Sequence, residues 1–184
     1  MYIPLTKGAV ARVDPADYER LTQMGSWCLN SSGYAVHYTK INGRRKTLLM
    51  HRLLMDAPRH LQVDHINRDK LDNRRENLRF ATRSQNQANK NVGKNNTSRF
   101  KGVNQNKGKW EARIKYHGRR INLGRFTNRI KAALVYDVAS LMLYRDFAGV
   151  NFPGRVPAPP MVRYVQKRLQ KAGVEVAPLL EIAS

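Results

Sequence analysis

The stretch QANKNVGKNNTS, residues 87–98, limits how this chain can fold more than any other part of the sequence. Asn, Lys and Gly dominate it, and Val92 is its only large apolar residue, a composition typical of a linker. It divides a chain of 184 residues, 41% of them hydrophobic, into two short segments. That much apolar material is enough for modest cores, so we expect two small modules and no single large core.

The charge of the chain favours a polyanionic partner. Its formal net charge is +21, from 34 Lys and Arg against 13 Asp and Glu, and the basic residues occur along the whole length. A membrane is the main rival, but the longest nearly apolar stretch, 132–144, is interrupted by Asp137 and is shorter than the roughly 18 residues of a spanning helix. MYIPLTKGAV shows no secretory signal, and a lone cysteine, Cys28, points to a reducing compartment.

The first fifty residues are typical of short strands and turns. The β-prone run Tyr34 to Ile41 and the run Lys46 to Met50 flank Asn42-Gly43, a strong turn signal, so we predict a hairpin. DPADYERL, residues 14–21, predicts a helical turn with an Asp N-cap and Pro at the first helical position. Trp27 is expected in the core.

The stretch VDHINRDKLDNRRENLRFATRSQN, residues 63–86, predicts a strand, a loop, a second strand and a helix. The first strand ends at Val63, the second covers residues 78–81, and Thr82-x-x-Gln85 is a capping-box signature that opens the helix. This ββα unit would carry Asp64 and His65 on its first strand, across from Asn86 on the helix. In the structural interpretation, the same Asp and His simply sit in a loop with the imidazole hydrogen-bonded.

The residue types in this unit suit hydrolysis of a phosphodiester. Such a reaction needs an activated water and stabilisation of the phosphorane and the leaving oxygen. A neutral His65 can take a proton from water, since an imidazole has an unperturbed pKa of about 6.5. The Asp64 carboxylate and the Asn86 amide oxygen are hard ligands suited to Mg²⁺ or Mn²⁺.

These residues, with MHRLL at 50–54, resemble the HNH homing-type endonucleases of phages and mobile introns. The resemblance implies Asp64 and Asn86 as metal ligands, His65 as general base, and Asn77 as the Asn that ties the loop and orients the base. Asn86 replaces a third histidine found in other branches, which favours Mg²⁺ or Mn²⁺ over Zn²⁺ or Ni²⁺. The hypothesis requires both ligand oxygens near one ion and a His65 ring that is not turned into the interior.

The sequence leaves two roles open for each of several other histidines and arginines. His51 matches a histidine common in this branch and is either structural or in contact with substrate, as is Arg52 beside it. Phosphate contacts or solvated surface charges are expected at Arg52, Arg68, Arg74, Arg75 and Arg79. Surface or turn positions are expected for His37, His60 and His117.

The second module predicts three short strands and a helix. Turn signals at 106–108 and 117–118 divide Phe100 to Phe126, and the middle strand places Trp110, Ala112, Ile114 and Tyr116 on one face. A helix capped by Thr127 and running to about Arg145 would cover that face with Ile130, Leu134, Val138 and Leu141. The free face is expected to be electropositive, because residues 99–131 hold one acid, Glu111, and eleven basic residues, at 99, 101, 107, 109, 113, 115, 119, 120, 125, 129 and 131.

Residues 99–153 resemble the AP2 DNA-binding domain, through FKGV, GKWEARIKYHGRRINLGRF, KAALVYDVAS and NFP. In that family the sheet lies in the major groove, which implies DNA contacts from Lys101, Asn104, Asn106, Arg113, Lys115, Arg120 and Asn122. Plant members have more arginines in the first strand and an aromatic residue at the position of Asn122, so the base sequence read must differ. After it come a Pro-rich spacer, PGRVPAPP at 153–160, and a basic helix from Met161 to about Lys171, which docks on the body, on a second copy or on nucleic acid.

The sequence thus predicts an α+β chain: a β-rich segment with a ββα-metal module over residues 1–86, a linker over 87–98, an AP2-like sheet packed on one helix over 99–153, and a tail over 154–184. The predicted function is a Mg²⁺- or Mn²⁺-dependent endonuclease acting on double-stranded DNA, as a monomer or homodimer, by nicking or double-strand cleavage. The resemblance implies a phage gene product in the bacterial cytoplasm. The alternatives are a DNA-binding regulator with an inactive HNH unit and an RNA-binding protein.

Overall fold

The computed structural model describes residues 1–93 and 95–176, and it mixes helices and strands as an α+β protein. The chain separates into two compact units, with the boundary between Asn86 and Gln87. Within the described residues, no helix is long and apolar enough to cross a membrane.

The first unit is built from three small antiparallel sheets and short helices. β1 pairs with β2, β4 lies between β3 and β5, and β6 pairs with β7. Its strands are β1 (Tyr2–Pro4), β2 (Val10–Arg12), β3 (Cys28–Leu29), β4 (Ala35–Ile41), β5 (Arg44–Leu49), β6 (Gln62–His65) and β7 (Leu78–Ala81). Its helices are α1 (Pro15–Gln23), α2 (Met50–Leu54) and the first part of α3 (Arg83–Asn89), with 3₁₀ turns at Thr6–Gly8 and Arg75–Asn77.

The local turn and cap predictions for this unit are largely confirmed. Asn42 and Gly43 both have positive φ, as a two-residue hairpin turn requires, and join β4 to β5. Asp14 occupies the N-cap position of α1, but its side chain makes no cap bond and accepts from the backbone N–H of Arg75 at 2.7 Å. The predicted cap therefore links α1 to the site loop.

One apolar cluster holds the first unit together. Trp27 lies in it, as expected, with its indole N–H donating to the Leu21 carbonyl at 2.8 Å. Burial of this apolar surface supplies the main stabilisation of a unit with so little regular structure. Its buried members are Ile3, Leu5, Ala11, Val13, Leu21, Trp27, Ala35, Met50, Leu54, Val63 and Leu78.

The second unit contains the predicted three-stranded sheet, in the antiparallel order β10-β9-β8. The strands are β8 (Val103–Asn106), β9 (Lys109–Tyr116) and β10 (Arg119–Phe126). Both hairpin turns have two residues with positive φ, at 107–108 and at 117–118. The turn signals in the sequence therefore marked the strand boundaries correctly.

α4 (Arg129–Tyr144) packs on one face of this sheet, but two details of its prediction are wrong. The N-cap is Asn128, whose Oδ1 accepts from the N–H groups of Ile130 and Lys131, so Thr127 is not the cap. Ile130 is 49% exposed, because the stripe that meets the sheet is the one containing Ala132 and Ala139. Small side chains on that stripe let the helix lie close to the strands, and a periodicity of large residues alone did not reveal it.

Two further contacts fix the ends of this unit's fold. Gly102 has φ +71° and lies against the Tyr136 ring, so any side chain there would collide with the ring. Asp137 of α4, although buried, accepts from the backbone N–H groups of Asn151 and Phe152, at 2.8 and 2.9 Å. This explains why the segment after α4, containing the NFP phrase, returns to the helix.

The C-terminal helix α5 (Pro159–Lys171) docks on the body of its own unit. Val165 and Leu169 are fully buried in the same apolar cluster as the sheet and α4, and the Tyr164 hydroxyl donates to the Leu123 carbonyl at 2.8 Å. The helix begins at Pro159, two residues before the predicted start, because proline is well accommodated in a first helical turn. A 3₁₀ turn, Arg145–Phe147, follows α4.

Candidate functional site

The β6–β7 hairpin carries the acid and the histidine singled out in the sequence. β6 continues to His65, beyond its predicted end at Val63, and its register pairs Asp64 with Arg79. Because side chains alternate between faces along a strand, Asp64 shares one face with Gln62, whereas His65 leaves on the other. Two neighbours in sequence thus enter different environments.

The Asp64 carboxylate is buried and paired with an arginine. Arg79 donates from Nε and from Nη2 to Oδ2 of Asp64, both at 2.9 Å. A buried carboxylate is costly unless it is paired, so this pair compensates for removing Asp64 from water. The sequence-based interpretation of Arg79 as a phosphate contact missed this role.

Asn86 is held near the same face of β6. The capping box is present as predicted: Gln85 Oε1 accepts from the Thr82 N–H at 2.8 Å, and Thr82 Oγ1 accepts from the Gln85 N–H at 3.3 Å. α3 starts there, and the Asn86 amide nitrogen donates to Gln62 Oε1 at 2.7 Å. Asp64 lies on the same face of β6 as Gln62, and Asn86 is bonded to Gln62 through its amide nitrogen. The bond to Gln62 therefore does not use the amide oxygen of Asn86.

The oxygen donors present fit a hard divalent cation. Mg²⁺ usually keeps several waters and takes one or two protein carboxylates, so a site with Asp64 and one amide oxygen is of the right kind. No group of three or more His, Cys, Asp or Glu is placed to hold a metal ion within residues 1–93 and 95–176. The imidazole- and thiolate-rich ligand sets of structural zinc sites are thus not found in that part of the chain.

The catalytic hypothesis requires a His65 ring that water can reach, but the structure encloses this residue almost completely. The residue is 5% exposed, and Nε2 lies 3.4 Å from Oδ1 of Asn73. The Asn73 amide nitrogen donates to the Leu71 carbonyl at 3.2 Å, so Oδ1 faces the imidazole, and a neutral ring that bonds to it donates from Nε2. Nδ1 is then the basic nitrogen of the neutral ring. Burial lowers the pKa of His65, against the opposing influence of Asn73 and nearby carboxylates.

Two aromatic neighbours complete the surroundings of His65. The His51 ring lies edge-on to it, with centroids 5.1 Å apart, and the Tyr34 ring lies 6.1 Å away. His51 is 5% exposed, and burial, followed by the charges of His65 and Arg52, lowers its pKa to about 3. His51 thus packs beside His65, and contact with substrate, the other role left open for it, stays a prediction.

Asn77 ties the loop between the strands, as the family resemblance implied. Its amide oxygen accepts from the Asn67 N–H at 2.9 Å, and its amide nitrogen donates to Asn67 Oδ1 and to the Asp72 carbonyl, at 2.9 and 2.8 Å. Its own carbonyl accepts from the Ile66 N–H at 2.9 Å. Asn77 thus fixes the backbone next to His65, and its role in orienting the base stays a prediction.

Most arginines proposed as phosphate contacts are engaged within the first unit. Arg52 donates to the carbonyls of Leu61, Ala57 and Pro58, between 2.8 and 2.9 Å, and so holds a loop. Arg74 pairs with Asp72, whose pKa it lowers to about 2, and Arg75 pairs with Asp17. These three arginines therefore have structural roles within the first unit, and phosphate contacts from them stay a prediction.

The free face of the three-stranded sheet carries six of the seven predicted DNA contacts. Cross-strand partners share a face, and the register pairs Asn122 with Arg113, Arg120 with Lys115, and Asn104 with Glu111. The six are Asn104, Asn106, Arg113, Lys115, Arg120 and Asn122. The predicted alternation of β9 is confirmed for Ala112 and Ile114, which are buried under α4.

Lys101, the seventh predicted DNA contact, does not lie on the free face with the other six. Its ammonium donates to the carbonyls of Ala88 and Lys90, at 2.6 Å for Lys90, and its backbone N–H donates to Asn151 Oδ1 at 2.7 Å. Lysines near a helix end commonly satisfy the last carbonyls in this way. Because Asn151 is itself tied to Asp137 of α4, Lys101 lies on the helix side of the sheet.

The sequence analysis did not predict the contacts of several side chains at the candidate sites. Asn73, Tyr34 and Gln62 gave no local signal, since each meets the site only through tertiary contacts. Arg79 could have been paired with Asp64 by extending the predicted hairpin register. Glu111 was visible as the sole acid among eleven basic residues.

A family match covers the segment that carries the candidate site. Residues 56–88 match the family model described as HNH endonuclease, a range that contains Asp64, His65, Asn77 and Asn86. A protein named as an uncharacterized HNH endonuclease, from Acanthamoeba polyphaga mimivirus, is 30% identical over 128 residues, which cover 68% of this chain and 66% of that relative. The family match identifies residues 56–88 as an HNH endonuclease segment, and together with the relative it supports a nuclease enzyme.

Proposed function

We propose that the chain is a metal-dependent DNA endonuclease that hydrolyses phosphodiester bonds at the β6–α3 site. The observation that carries the proposal is the position of Asp64 and Asn86. Both side chains are held at the Gln62 side of β6, within the segment that matches the HNH endonuclease model. Double-stranded DNA is the proposed substrate, in keeping with the net charge of +21.

Asp64 and Asn86 would hold Mg²⁺ or Mn²⁺ through one carboxylate and one amide oxygen. A divalent cation bound there supplies positive charge beside the scissile phosphate and the leaving oxygen. Arg79 orients the Asp64 carboxylate through its two bonds to Oδ2. Gln62 orients the Asn86 amide through its bond to the amide nitrogen.

His65 is the proposed general base, acting through Nδ1. Burial keeps the ring neutral at physiological pH, and the bond from Nε2 to Asn73 Oδ1 directs the proton to Nε2. A neutral ring with a basic Nδ1 can accept a proton from water. The resemblance implies products with a 5′-phosphate and a 3′-OH.

A second candidate, DNA binding without cleavage, draws on a specific observation. His65 is 5% exposed and Asp64 is engaged with Arg79, an arrangement that also suits a site with no substrate to meet. The intact set of Asp64, His65, Asn77 and Asn86 favours the enzyme.

We further propose that the three-stranded sheet is an AP2-like targeting module. Its free face lies opposite α4, and its basic side chains would enter the major groove, where arginine and asparagine can recognise base edges. One nuclease site per chain would nick one strand per event, so double-strand cleavage would need two chains or two encounters.

Supercoiled plasmid incubated with the purified chain, with and without Mg²⁺, tests the function. An endonuclease converts supercoiled plasmid to open circles or linear DNA only with the metal, and end mapping finds a 5′-phosphate and a 3′-OH. A chain that shifts the plasmid in a gel but leaves it supercoiled with both Mg²⁺ and Mn²⁺ is a binder, and the nuclease proposal fails.

A further inference from the structure

The free face of the three-stranded sheet contains one buried carboxylate. Glu111 is 4% exposed in β9, between Asn104 of β8 and Arg125 of β10. α4 packs on the opposite face, and the hydrogen-bond partners of Glu111 lie on the same free face as Glu111. A carboxylate in such a place requires partners, because an unpaired buried charge is costly.

Those partners come from all three strands. Asn106 of β8 donates its amide N–H to Oε2 of Glu111 at 3.1 Å. Arg113 of β9 donates from Nη2 to the same oxygen, and Asn122 of β10 donates its amide N–H to Oε1. Three of the predicted DNA contacts thus converge on one side chain.

We propose that Glu111 is a positioning residue for base recognition, which fixes Asn106, Arg113 and Asn122 in one arrangement. Loss of Glu111 should therefore reduce the preference among DNA sequences far more than it reduces the overall affinity for DNA. This inference rests on the proposed DNA-binding function of the sheet.

The bonds assign different tasks to two of the three partners, Arg113 and Asn122. Arg113 has five N–H donors, and its Nη2 bond to Glu111 restrains the guanidinium while it leaves other N–H donors for bidentate recognition of guanine. Asn122 is bonded at both ends of its amide, since its Oδ1 accepts from the Gly124 N–H at 2.8 Å. Asn122 therefore acts as a support, and Arg113 is the base reader.

The negative charge of Glu111 is consistent with a role in selecting among DNA sequences. The hydrogen bond from Arg113 lowers the pKa of Glu111, so the carboxylate stays ionised. A negative charge on a face that meets phosphates opposes nonspecific attraction, and like charges across an interface suppress wrong partners. Removing the Glu111 charge should strengthen nonspecific DNA binding. It should also free the Arg113 side chain from its bond to Glu111.

The test compares Glu111→Gln with the wild type by selection from a random duplex DNA library, followed by affinities for the selected and for random duplexes. Asp146→Asn, which removes an exposed acid from the same unit, is the matched charge control. The wild type and the control should select one site containing a fixed guanine. Glu111→Gln should lose preference at that guanine by roughly tenfold and bind random DNA at least as tightly.

Side-chain amide NMR signals of Asn106 and Asn122 provide a readout that does not depend on DNA. They should shift in Glu111→Gln and in Glu111→Asp, whose shorter carboxylate cannot span the neighbouring strands, and stay unchanged in Asp146→Asn. The second substitution keeps the test available if the first variant fails to fold.

The outcomes are distinguishable. If Glu111→Gln and Glu111→Asp both select the wild-type site with wild-type preference, the role of Glu111 is refuted while DNA binding by the sheet stands. If the wild type itself selects no sequence and binds no duplex, the DNA-binding function fails, and this inference falls with it.

Discussion

At the scale of single residues, Asp64 and His65 show how adjacent side chains acquire separate chemistry. Asp64 is oriented by Arg79 on one face of β6, and His65 is set in one tautomer by Asn73 on the other. The candidate ligand and base residues could be named from the sequence, because their spacing follows a short hairpin and a capped helix. Their supporting residues could not, because Asn73 and Gln62 reach the site through side-chain contacts that no periodicity encodes.

His65→Ala should abolish Mg²⁺-dependent nicking and leave DNA binding within a few fold. The substitution removes the proposed proton acceptor but no residue of the basic sheet. Nicking of supercoiled plasmid and gel-shift affinity measure the two effects, and His60→Ala, at an exposed histidine, is the control. Full nicking by a highly purified His65→Ala sample would rule out the base assignment.

Stability should rise with pH between about pH 3 and 6.5 because of His51. Its pKa falls from 6.5 to about 3 in the folded chain, so in this window the unfolded chain binds a proton that the folded chain does not. This contribution is fully present above pH 6.5 and is lost as the pH falls toward 3. The slope for one such proton approaches about 1.4 kcal/mol per pH unit.

Urea unfolding between about pH 5 and 6.5, above the usual carboxylate range, isolates the histidines. His51→Phe should flatten the pH dependence, with a residual slope from His65, whose pKa is also lowered. A His51→Phe slope equal to the wild-type slope would show that His51 titrates normally in the folded chain.

At the scale of elements, local signals predicted what local interactions determine. The Thr82–Gln85 capping box and the 42–43 turn were found because their bonds lie within a few residues. The three strands of the second unit were found because two short turns mark where they meet. The α4 cap and its buried stripe were predicted wrongly, since Asn128 competes with Thr127 for the N-cap and packing on the sheet selects the alanine-containing stripe.

Thr82→Ala should lower the free energy of unfolding of the first unit by about 1 kcal/mol, the usual value of an N-cap side chain. The hydroxyl accepts from the Gln85 N–H, and its loss leaves that donor without the cap. Urea unfolding measures the change, and Thr82→Ser, which keeps the hydroxyl, should behave as the wild type. Equal stabilities of the Ala and Ser variants would mean that the cap contributes nothing to α3.

Lys115→Ala with Arg120→Ala should weaken DNA binding and flatten its salt dependence. Each phosphate contact contributes about 0.9 to the slope of log K against log salt, so two lost contacts should lower the slope by nearly 2. Binding titrations over a range of NaCl concentrations measure it. Lys131→Ala, an exposed position on α4, should leave the slope as it is. A double variant with the wild-type slope would show that DNA contacts another surface.

At the scale of the whole molecule, the composition and the linker predicted two small cores, and the described residues form two apolar clusters, one in each unit. The tail was beyond sequence reasoning, because a basic amphipathic helix fits several partners equally well. The burial of Val165 and Leu169 shows that the helix packs on its own unit. Function in the proposed account divides in the same way, with hydrolysis in the first unit and recognition in the second.

Mn²⁺ binding followed by electron paramagnetic resonance tests most directly whether Asp64 and Asn86 hold one cation together. The wild type should bind one Mn²⁺ per chain, Asn86→Ala and Asp64→Asn should each weaken it by about tenfold or more, and Gln87→Ala, at the next position of α3, should bind as the wild type does. Unchanged Mn²⁺ affinity in folded Asn86→Ala and Asp64→Asn would contradict the account.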